Sequence, residues 1–452
     1  MSQSRFAAII LAAGEGTRLN SARPKVLHEI AGQPMIRHVI DALRPLDPAE
    51  IIVVIGRDMD AVARAVAPTP IAIQSPPRGT GDAVRAASPA LADRLGQGGI
   101  SDVVVLFGDT ALLRAGTIAE LLDSRRRAPE VAVAVAAMRP ADPAPYGRLV
   151  LGDDGALIRI VEAKDANLEE RAIGLCNGGI MAIDARHLFE LVDRIGNENA
   201  KREFYLTDIV AIARAAGLVC RVAELPTEEL VGVNTRAELA EAEALMQERL
   251  RRRAMEGGTT LIAPQTVFLS ADTRLGRDVV VEPNVVFGPG VSVADNVRIR
   301  SFSHVEGATI AEGAIIGPFA RLRPGAVLEA DVHVGNFVEI KETRLGAGAK
   351  ASHLSYLGDS EIGAGTNIGA GTITCNYDGF NKHRTVIGRD AFIGSNTALV
   401  APVTVGDGAY VATGSVVTSD VPADALTVAR ARQVDKPGRA SELRKRLRGK
   451  NR

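Results

Sequence analysis

Apolar positions along this chain follow two different rhythms. Between Phe6 and about Val233, short apolar runs alternate with segments of helical spacing. Ala7–Ala12, Ile51–Ile55, Val103–Phe107 and Val131–Ala136 have the length and β-branched content of buried strands. Gln33–Leu43, Asp58–Val66 and Thr117–Arg125 instead repeat their apolar residues at helical spacing. Strand and helix in alternation predict a parallel sheet covered by helices on both faces. Thr235–Glu256 then reads as one long charged helix, rich in Ala, Glu, Leu and Arg and closed by Gly257-Gly258.

Beyond that helix the period becomes six. Aliphatic or aromatic residues recur at Leu275, Val281, Phe287, Val293, Ile299 and Val305, slip by five to Ile310, and resume at Ile316, Leu322, Leu328, Val334 and Ile340. Two more such slips give Leu345, Ala351 and Leu357, then Ile362, Ile368 and Thr374. After an interruption at Cys375–Val386 the pattern restarts at Ile387, Ile393, Leu399, Val405, Val411 and Val417. Glycine commonly follows, as at Ile316-Gly317 and Ile387-Gly388. An amphipathic helix cannot carry a period of six. A β-helix requires it, because each coil presents the same small or aliphatic side chain inward and turns tightly beside it, here over about eight coils of three hexads. The expected division is therefore 1–233 for the first domain, 234–258 for a linker helix and 259–452 for the β-helix with a basic tail.

Composition narrows the function classes. A chain of 452 residues with 46% hydrophobic content has material for two cores. With 53 basic and 54 acidic residues the net charge is −1, so no global field recruits nucleic acid or anionic membrane, and any phosphate site must be built locally. Cys176, Cys220 and Cys375 are odd in number and far apart, which argues against a disulfide framework or a CxxC zinc site and favours a cytoplasmic location. Phe6–Ala13 after Arg5 resembles a short signal-peptide core, but Gly14, Glu15 and Arg18 follow at once. No stretch approaches the roughly 20 apolar residues of a membrane span.

The first candidate site comes off the first strand: Leu11-Ala12-Ala13-Gly14-Glu-Gly16-Thr-Arg18, with Pro24-Lys25 following. Glycines there let backbone N–H groups approach a phosphate, and Arg18 and Lys25 bring charge. A glycine-rich loop alone can be an ordinary turn, but the spaced cations argue for more. It is neither a Walker loop nor the dinucleotide fingerprint. LAAGEGTRL with PKVL resembles the signature of sugar-1-phosphate nucleotidyltransferases, which implies a Rossmann-like α/β domain. Further clusters match that family in order. Gln74 with Gly79-Thr80-Gly81 resembles its base-reading segment. Asp109 of Phe107-Gly108-Asp109 lies at a strand's carboxyl end, where open sheets bind ligands and where hard oxygens suit Mg²⁺. Asn234 is carried over from the family as second metal ligand. Tyr146-Gly147-Arg148, Glu162 and Asn177 resemble sugar-binding segments. Asp109 and Asn234 also have plain readings as helix caps. The implied reaction is attack of a sugar-1-phosphate oxygen on the α-phosphorus of UTP, releasing pyrophosphate, with Arg18, Lys25 and the metal neutralising charge.

The second candidate site lies in the β-helix. Arg323 and Lys341 each follow the inward aliphatic of their hexad one coil apart, suiting a phosphate monoester, although stacked like charges repel when unpartnered. His353, Tyr356 and Asn367 follow, then Cys375-Asn376-Tyr377-Asp378-Gly379 and Asn381-Lys382 in the interruption. A loop extruded from a regular solenoid usually has a task. GPFARLRPGA, VGNFVEIK, SHLSYLGD and NIGAGTITCNYDG closely resemble the acetyltransferase half of the bacterial bifunctional UDP-N-acetylglucosamine pyrophosphorylase/glucosamine-1-phosphate N-acetyltransferase family. That resemblance spans essentially the whole chain. It implies a left-handed parallel β-helix of hexapeptide repeats packed as a homotrimer. It also implies His353 as general base and an amino-sugar-phosphate pocket of Arg323, Lys341, Tyr356, Asn367 and Lys382. Ala370, Asn376, Tyr377, Ser395, Thr413 and Arg430 would line an acetyl-CoA groove. An imidazole suits the task, since an amine must lose a proton to attack a thioester. The match departs from the family at Phe107, Pro77 and Thr413.

Two other readings meet objections in the residues themselves. A single-activity pyrophosphorylase with a regulatory β-helix is opposed by His353, Tyr356 and CNYDG, and a non-catalytic scaffold by intact Arg18, Lys25 and Asp109. The basic tail Arg439–Arg452 is expected to be disordered and solvated, with contact to the CoA phosphates as the alternative.

Overall fold

The computed structural model describes residues 5–14, 16–96, 99–199 and 201–449. Glu15 of the glycine-rich motif and residues 450–452 of the tail lie outside the described residues. Two compact units divide between Arg249 and Leu250.

The first unit is built on strands β1 (Phe6–Leu11), β2 (Glu50–Gly56), β3 (Ile71–Gln74), β4 (Asp102–Phe107), β5 (Val131–Met138), β6 (Arg148–Leu151), β7 (Leu157–Val161), β8 (Cys176–Asp184) and β9 (Val219–Glu224). Their main order is β9-β5-β8-β4-β1-β2-β3, with β6 and β7 as a side hairpin on β8. The apolar runs are explained by burial on both faces. Ala7, Ile9, Val103 and Val105 enter one core, while Phe6, Ala8, Ile10, Val104 and Leu106 enter the other. Helices α1 (Met35–Leu43), α2 (Asp60–Val66) and α4 (Ala115–Arg126) cover the second core, and α3 (Thr80–Ala86) packs on the first.

The sheet is mixed, which corrects the expectation of a parallel one. β8 runs antiparallel to both β4 and β5. Hydrophobic periodicity carries no strand direction, so the pattern could not show this. The reversal has a consequence for the site: the first residues of β8, not its last, lie at the carboxyl edge of β4. With Met181 paired to Val105, Asn177 and Gly179 reach the level of Phe107. Gly179 has φ +86°, and an added Cβ would lie 3.3 Å from the Phe107 ring.

Helix α5 (Arg236–Glu256) occupies the predicted linker segment. The second unit is then a parallel β-helix. Val281, Ile299, Ile316, Val334, Ala351, Ile368, Ile393 and Val411 align coil upon coil, all buried. Glycine is required where coils nearly touch: a Cβ on Gly335 would fall 1.9 Å from the Ser352 carbonyl oxygen. The slips and the interruption are accommodated at corners, and the interruption bulges out after Cys375 before Thr385 rejoins the ladder beside Ser360.

The tail differs from expectation in one respect. Its side chains are exposed, as expected, but Arg439–Gly449 forms helix α6. Strong helix formers (Ala, Leu, Arg, Lys, Glu) and an Arg439–Glu442 ion pair at 2.6 Å account for it.

Candidate active sites

At the carboxyl edge of β1 and β4, chain segments distant in sequence converge. Leu11 and Phe107 are direct neighbours in the sheet, which sets the Ala12–Gly14 turn beside Gly108 and Asp109. Gly16 is left-handed (φ +65°), and a Cβ there would meet the Lys25 stem at 2.4 Å. Its bareness lets Lys25 pass inward. The Lys25 ammonium ion-pairs with the Asp109 carboxylate and donates to Asn234 Oδ1 at 2.6 Å; the Lys25 and Asp109 side chains are only 13% and 17% exposed. Arg18 donates to the same Asn234 oxygen at 2.9 Å. Two oxygens carried over as metal ligands thus already converge on one cationic atom.

A cavity of about 550 Å³ opens beside them, lined by Leu11 to Gly14, Arg18, Lys25, Gln74, Gly79, Thr80, Phe107 and Asp109 among others. Gln74 Nε2 donates to the Gly79 carbonyl at 3.0 Å and to Asp82 Oδ2 at 2.9 Å. Thr80 Oγ1 accepts from the Leu206 N–H at 2.9 Å. An adjoining cavity of about 540 Å³ holds Glu162 and Asn177. Asn177 accepts from the Gly179 N–H at 2.9 Å, and its own N–H bonds the Gly147 carbonyl at 2.8 Å, so all three sugar-segment positions meet. Thr207 donates to Glu162 at 3.0 Å. Burial, only partly offset by that bond, pushes the Glu162 pKa above the usual carboxylate range.

In the β-helix most of the predicted residues fall into two groups, outside which stand Asn367 and Tyr377, whose hydroxyl donates to the Gly379 carbonyl within the bulge at 2.6 Å. Arg323 and Lys341 are neighbours on successive coils, as the Leu322–Ile340 register requires. Their expected repulsion is relieved by Glu339, which accepts from Arg323 at 2.7 Å. Lys382 of the bulge meets Lys341; that contact, then desolvation, pushes Lys341 down, while the same contact pushes Lys382 up. Tyr356 lies beside Glu339, and Asn376 Nδ2 approaches its hydroxyl at 3.4 Å, placing Asn376 with this group.

A second group runs up one corner. Backbone bonds link Gly371 N–H to His353 O, Asn396 N–H to Ala370 O and Gly414 N–H to Ser395 O, and Arg430 donates to the Thr413 carbonyl at 2.7 Å. His353, Ala370, Ser395, Thr413 and Arg430 therefore form a continuous line. Asn367 lies on the strand next to that of His353, between Lys350 and Phe392, and not on the sheet of Tyr356.

The comparisons with known proteins agree with both architectures. Residues 8–173 match the MobA-like NTP transferase domain, and 272–307 and 384–419 match the bacterial transferase hexapeptide repeats. The chain is 52% identical to the bifunctional protein GlmU of Paramagnetospirillum magneticum over 98% of both chains. It is 54% identical to that of Azorhizobium caulinodans, again over 98% of each. For Acidiphilium cryptum GlmU the identity is 56%, over 97% of this chain and 98% of the relative. The chain belongs to the bifunctional GlmU family. It is a bifunctional transferase, with a nucleotidyltransferase unit and a hexapeptide acyltransferase unit. Among the described residues no helix is long and apolar enough to cross a membrane.

Several residues at these candidate sites carry little signal in the sequence. Asn336 Oδ1 lies 2.7 Å from His353 Nδ1; an amide oxygen only accepts, so this contact favours the tautomer with its proton on Nδ1 and Nε2 turned free. The ladder pairs Asn336 directly with His353, one coil on. In sequence its only signal was the VGNFVEIK motif, read there for Lys341. Tyr205 and Thr207 line the cavity of Glu162 and Asn177 without any local motif. Burial, then Glu203, pushes the Tyr205 hydroxyl up to about 12, leaving it a hydrogen-bond donor.

Proposed function

We propose a division of labour for the two transfers by which this chain makes UDP-N-acetylglucosamine. In the second unit His353 Nε2 accepts the ammonium proton of glucosamine-1-phosphate, and the freed amine attacks the acetyl-CoA thioester, expelling the CoA thiolate. Arg323, Lys341 and Lys382 hold the phosphate and Tyr356 and Asn367 the sugar, while Ala370, Ser395, Thr413 and Arg430, with Tyr377, flank the CoA and Asn376, beside the Tyr356 hydroxyl, borders both. In the first unit the N-acetylglucosamine-1-phosphate oxygen displaces pyrophosphate from UTP. That nucleophile is already anionic, so the protein aligns and neutralises charge instead of removing a proton.

The observation that carries the first half is the convergence of Asp109, Asn234, Lys25 and Arg18 on one point. An acidic and an amide oxygen that both bond an ammonium also fit a divalent cation, and their hardness suits Mg²⁺. When bound, the metal would neutralise phosphate charge there. Lys25 and Arg18 would hold the phosphates, Gln74, Gly79 and Thr80 the base, and Gly147, Glu162 and Asn177 the sugar.

The second site supports a homotrimer. Asn367 lies on a different sheet from Tyr356, and a neighbouring copy would complete the pocket. Beside the His353 corner, Phe302, Phe319 and Phe337 stack with ring centroids 5.0 and 5.1 Å apart, each more than 40% exposed at positive φ. Bulky residues in left-handed geometry on an open corner suit burial against another copy. The test is to incubate the protein with glucosamine-1-phosphate, acetyl-CoA, UTP and Mg²⁺ and identify products by mass. UDP-N-acetylglucosamine is expected from wild type, N-acetylglucosamine-1-phosphate alone from Asp109→Ala, and very little acetylated product from His353→Ala. Equal loss of both steps in a folded Asp109→Ala protein would defeat the two-site assignment.

A further inference from the structure

We propose that Asp82 sets the pyrimidine choice of the nucleotide site by fixing which edge of the Gln74 amide faces the base, an inference that rests on Gln74 lying against the nucleobase. Gln74 ends β3, is 4% exposed and lines the nucleotide cavity. A glutamine amide has a donor edge and an acceptor edge, and nothing in the residue itself decides which is presented. Uracil offers an N3–H donor where cytosine offers a bare N3 acceptor. A freely turning glutamine could therefore read either base.

Here it cannot turn. Both hydrogens of Gln74 Nε2 are used, one by the Gly79 carbonyl at 3.0 Å and one by Asp82 Oδ2 at 2.9 Å. A carbonyl and a carboxylate only accept, so the amide nitrogen must face them and Oε1 is the group left for the cavity. Reversal would set Oε1 against two acceptors in a buried place.

The partners are themselves held. Asp82 is 7% exposed, accepts from Arg78 at 3.1 Å and has Arg85 at 3.7 Å, and both guanidinium groups lie over the Phe204 ring. Gly79 has φ +117°, and a Cβ there would lie 2.6 Å from the Phe204 carbonyl oxygen, so its own carbonyl has little freedom. The site presents an acceptor to the base. It therefore accepts uracil N3–H and meets cytosine N3 lone pair to lone pair. Asp82 touches no substrate and is a positioning residue.

The experiment compares kcat/KM for UTP and CTP, with N-acetylglucosamine-1-phosphate, in wild type, Gln74→Ala, Asp82→Asn and Asp82→Ala, with acetyl transfer as the folding check. An asparagine at position 82 can donate to Gln74, so the amide can turn over. The UTP:CTP ratio should fall by at least about tenfold in Asp82→Asn, and in the same direction but less in Asp82→Ala. A purely structural role would slow both nucleotides alike and leave the ratio unchanged. Retention of the wild-type ratio in both Asp82 variants, with Gln74→Ala lowering it, overturns the role of Asp82. Retention of the ratio in Gln74→Ala overturns the base reading beneath it.

Discussion

Replacing Lys25 by methionine should tighten metal binding to the nucleotide-free protein while slowing uridylyl transfer. The methionine keeps the apolar stem that fills the space left by Gly16 and removes only the ammonium. That ammonium holds the Asp109 carboxylate and Asn234 Oδ1 together in a site where both ionic side chains are largely buried. A divalent cation taken up by the same two oxygens must displace it. Opposite charges about 4 Å apart attract by ~4 kcal/mol at an effective dielectric near 20. Rehydration of the released ammonium offsets most of this, leaving a net gain of about 1.4–2 kcal/mol, or roughly tenfold to thirtyfold in the metal constant. Mn²⁺ titration without nucleotide, followed by electron paramagnetic resonance, measures it directly. Arg18→Met is the comparison, because Arg18 contacts only the neutral Asn234 oxygen of this pair and should move the constant less. At saturating metal, kcat/KM for UTP in Lys25→Met should nevertheless fall by about 10²–10³, since a fixed cation beside the phosphates is lost. A Mn²⁺ constant equal to or weaker than that of wild type, in a folded protein, refutes the displacement argument.

His353→Ala should cut acetyl transfer by roughly 10²–10⁴-fold and leave uridylyl transfer intact. Asn336→Ala should cost about 10–100-fold in acetyl kcat with little change in KM for the amino sugar, because it frees the imidazole tautomer without touching the pocket. Steady-state kinetics of both half-reactions read these two variants, and an unchanged acetyl kcat in either removes that residue from the proton path. Gly335→Ala should destabilise the second unit by more than ~2 kcal/mol, seen as a lowered thermal midpoint, since its Cβ has no room above the Ser352 carbonyl. Glu162 is harder to ionise folded than unfolded, so its contribution to stability falls as pH rises from the unfolded carboxylate pKa through the higher folded one. Glu162→Gln should therefore be stabilising at neutral pH relative to wild type and lose that advantage below the unfolded pKa; thermal melts at both pH values decide, and an advantage that persists or grows in acid contradicts the burial argument.

What could be read from the chain and what could not divides along a physical line. The hexads were legible because one side chain per coil must point inward, so Val281 through Val411 stand in register as their spacing requires. Arg18, Lys25 and Asp109 were legible because glycine loops and strand ends confine where such groups can lie. The direction of β8 was hidden, since buried strands look alike in either sense. Asp82 was hidden for another reason: an aspartate in the first turn of α3 has an ordinary explanation as a dipole partner, and only folding shows its carboxylate turned to Gln74. Helix α6 was missed because a run of charge outweighed the helix-forming character of the same residues.

The two units answer different chemical demands with different kinds of scaffold. Neutralising a triphosphate needs several charged groups at one point, and such groups repel or pair off unless distant elements hold them. The α/β unit brings Arg18 and Lys25 from the loops after β1, Asp109 from the end of β4 and Asn234 from just before α5 to a common centre, as the proposed reading requires. Removing one proton from an amine needs a single base whose tautomer and direction are set. A β-helix suits that, because adjacent coils repeat the same backbone position about 4.8 Å apart. Whatever stands one coil below a histidine is therefore placed to orient it, and Asn336 stands there. The same repetition that makes the hexads readable makes each corner a column of equivalent positions, so His353 and the line from Ala370 to Arg430 follow from one geometric rule. On this argument the polar residues most worth substituting in the second unit are those one coil above and below a functional position, whatever their distance in sequence.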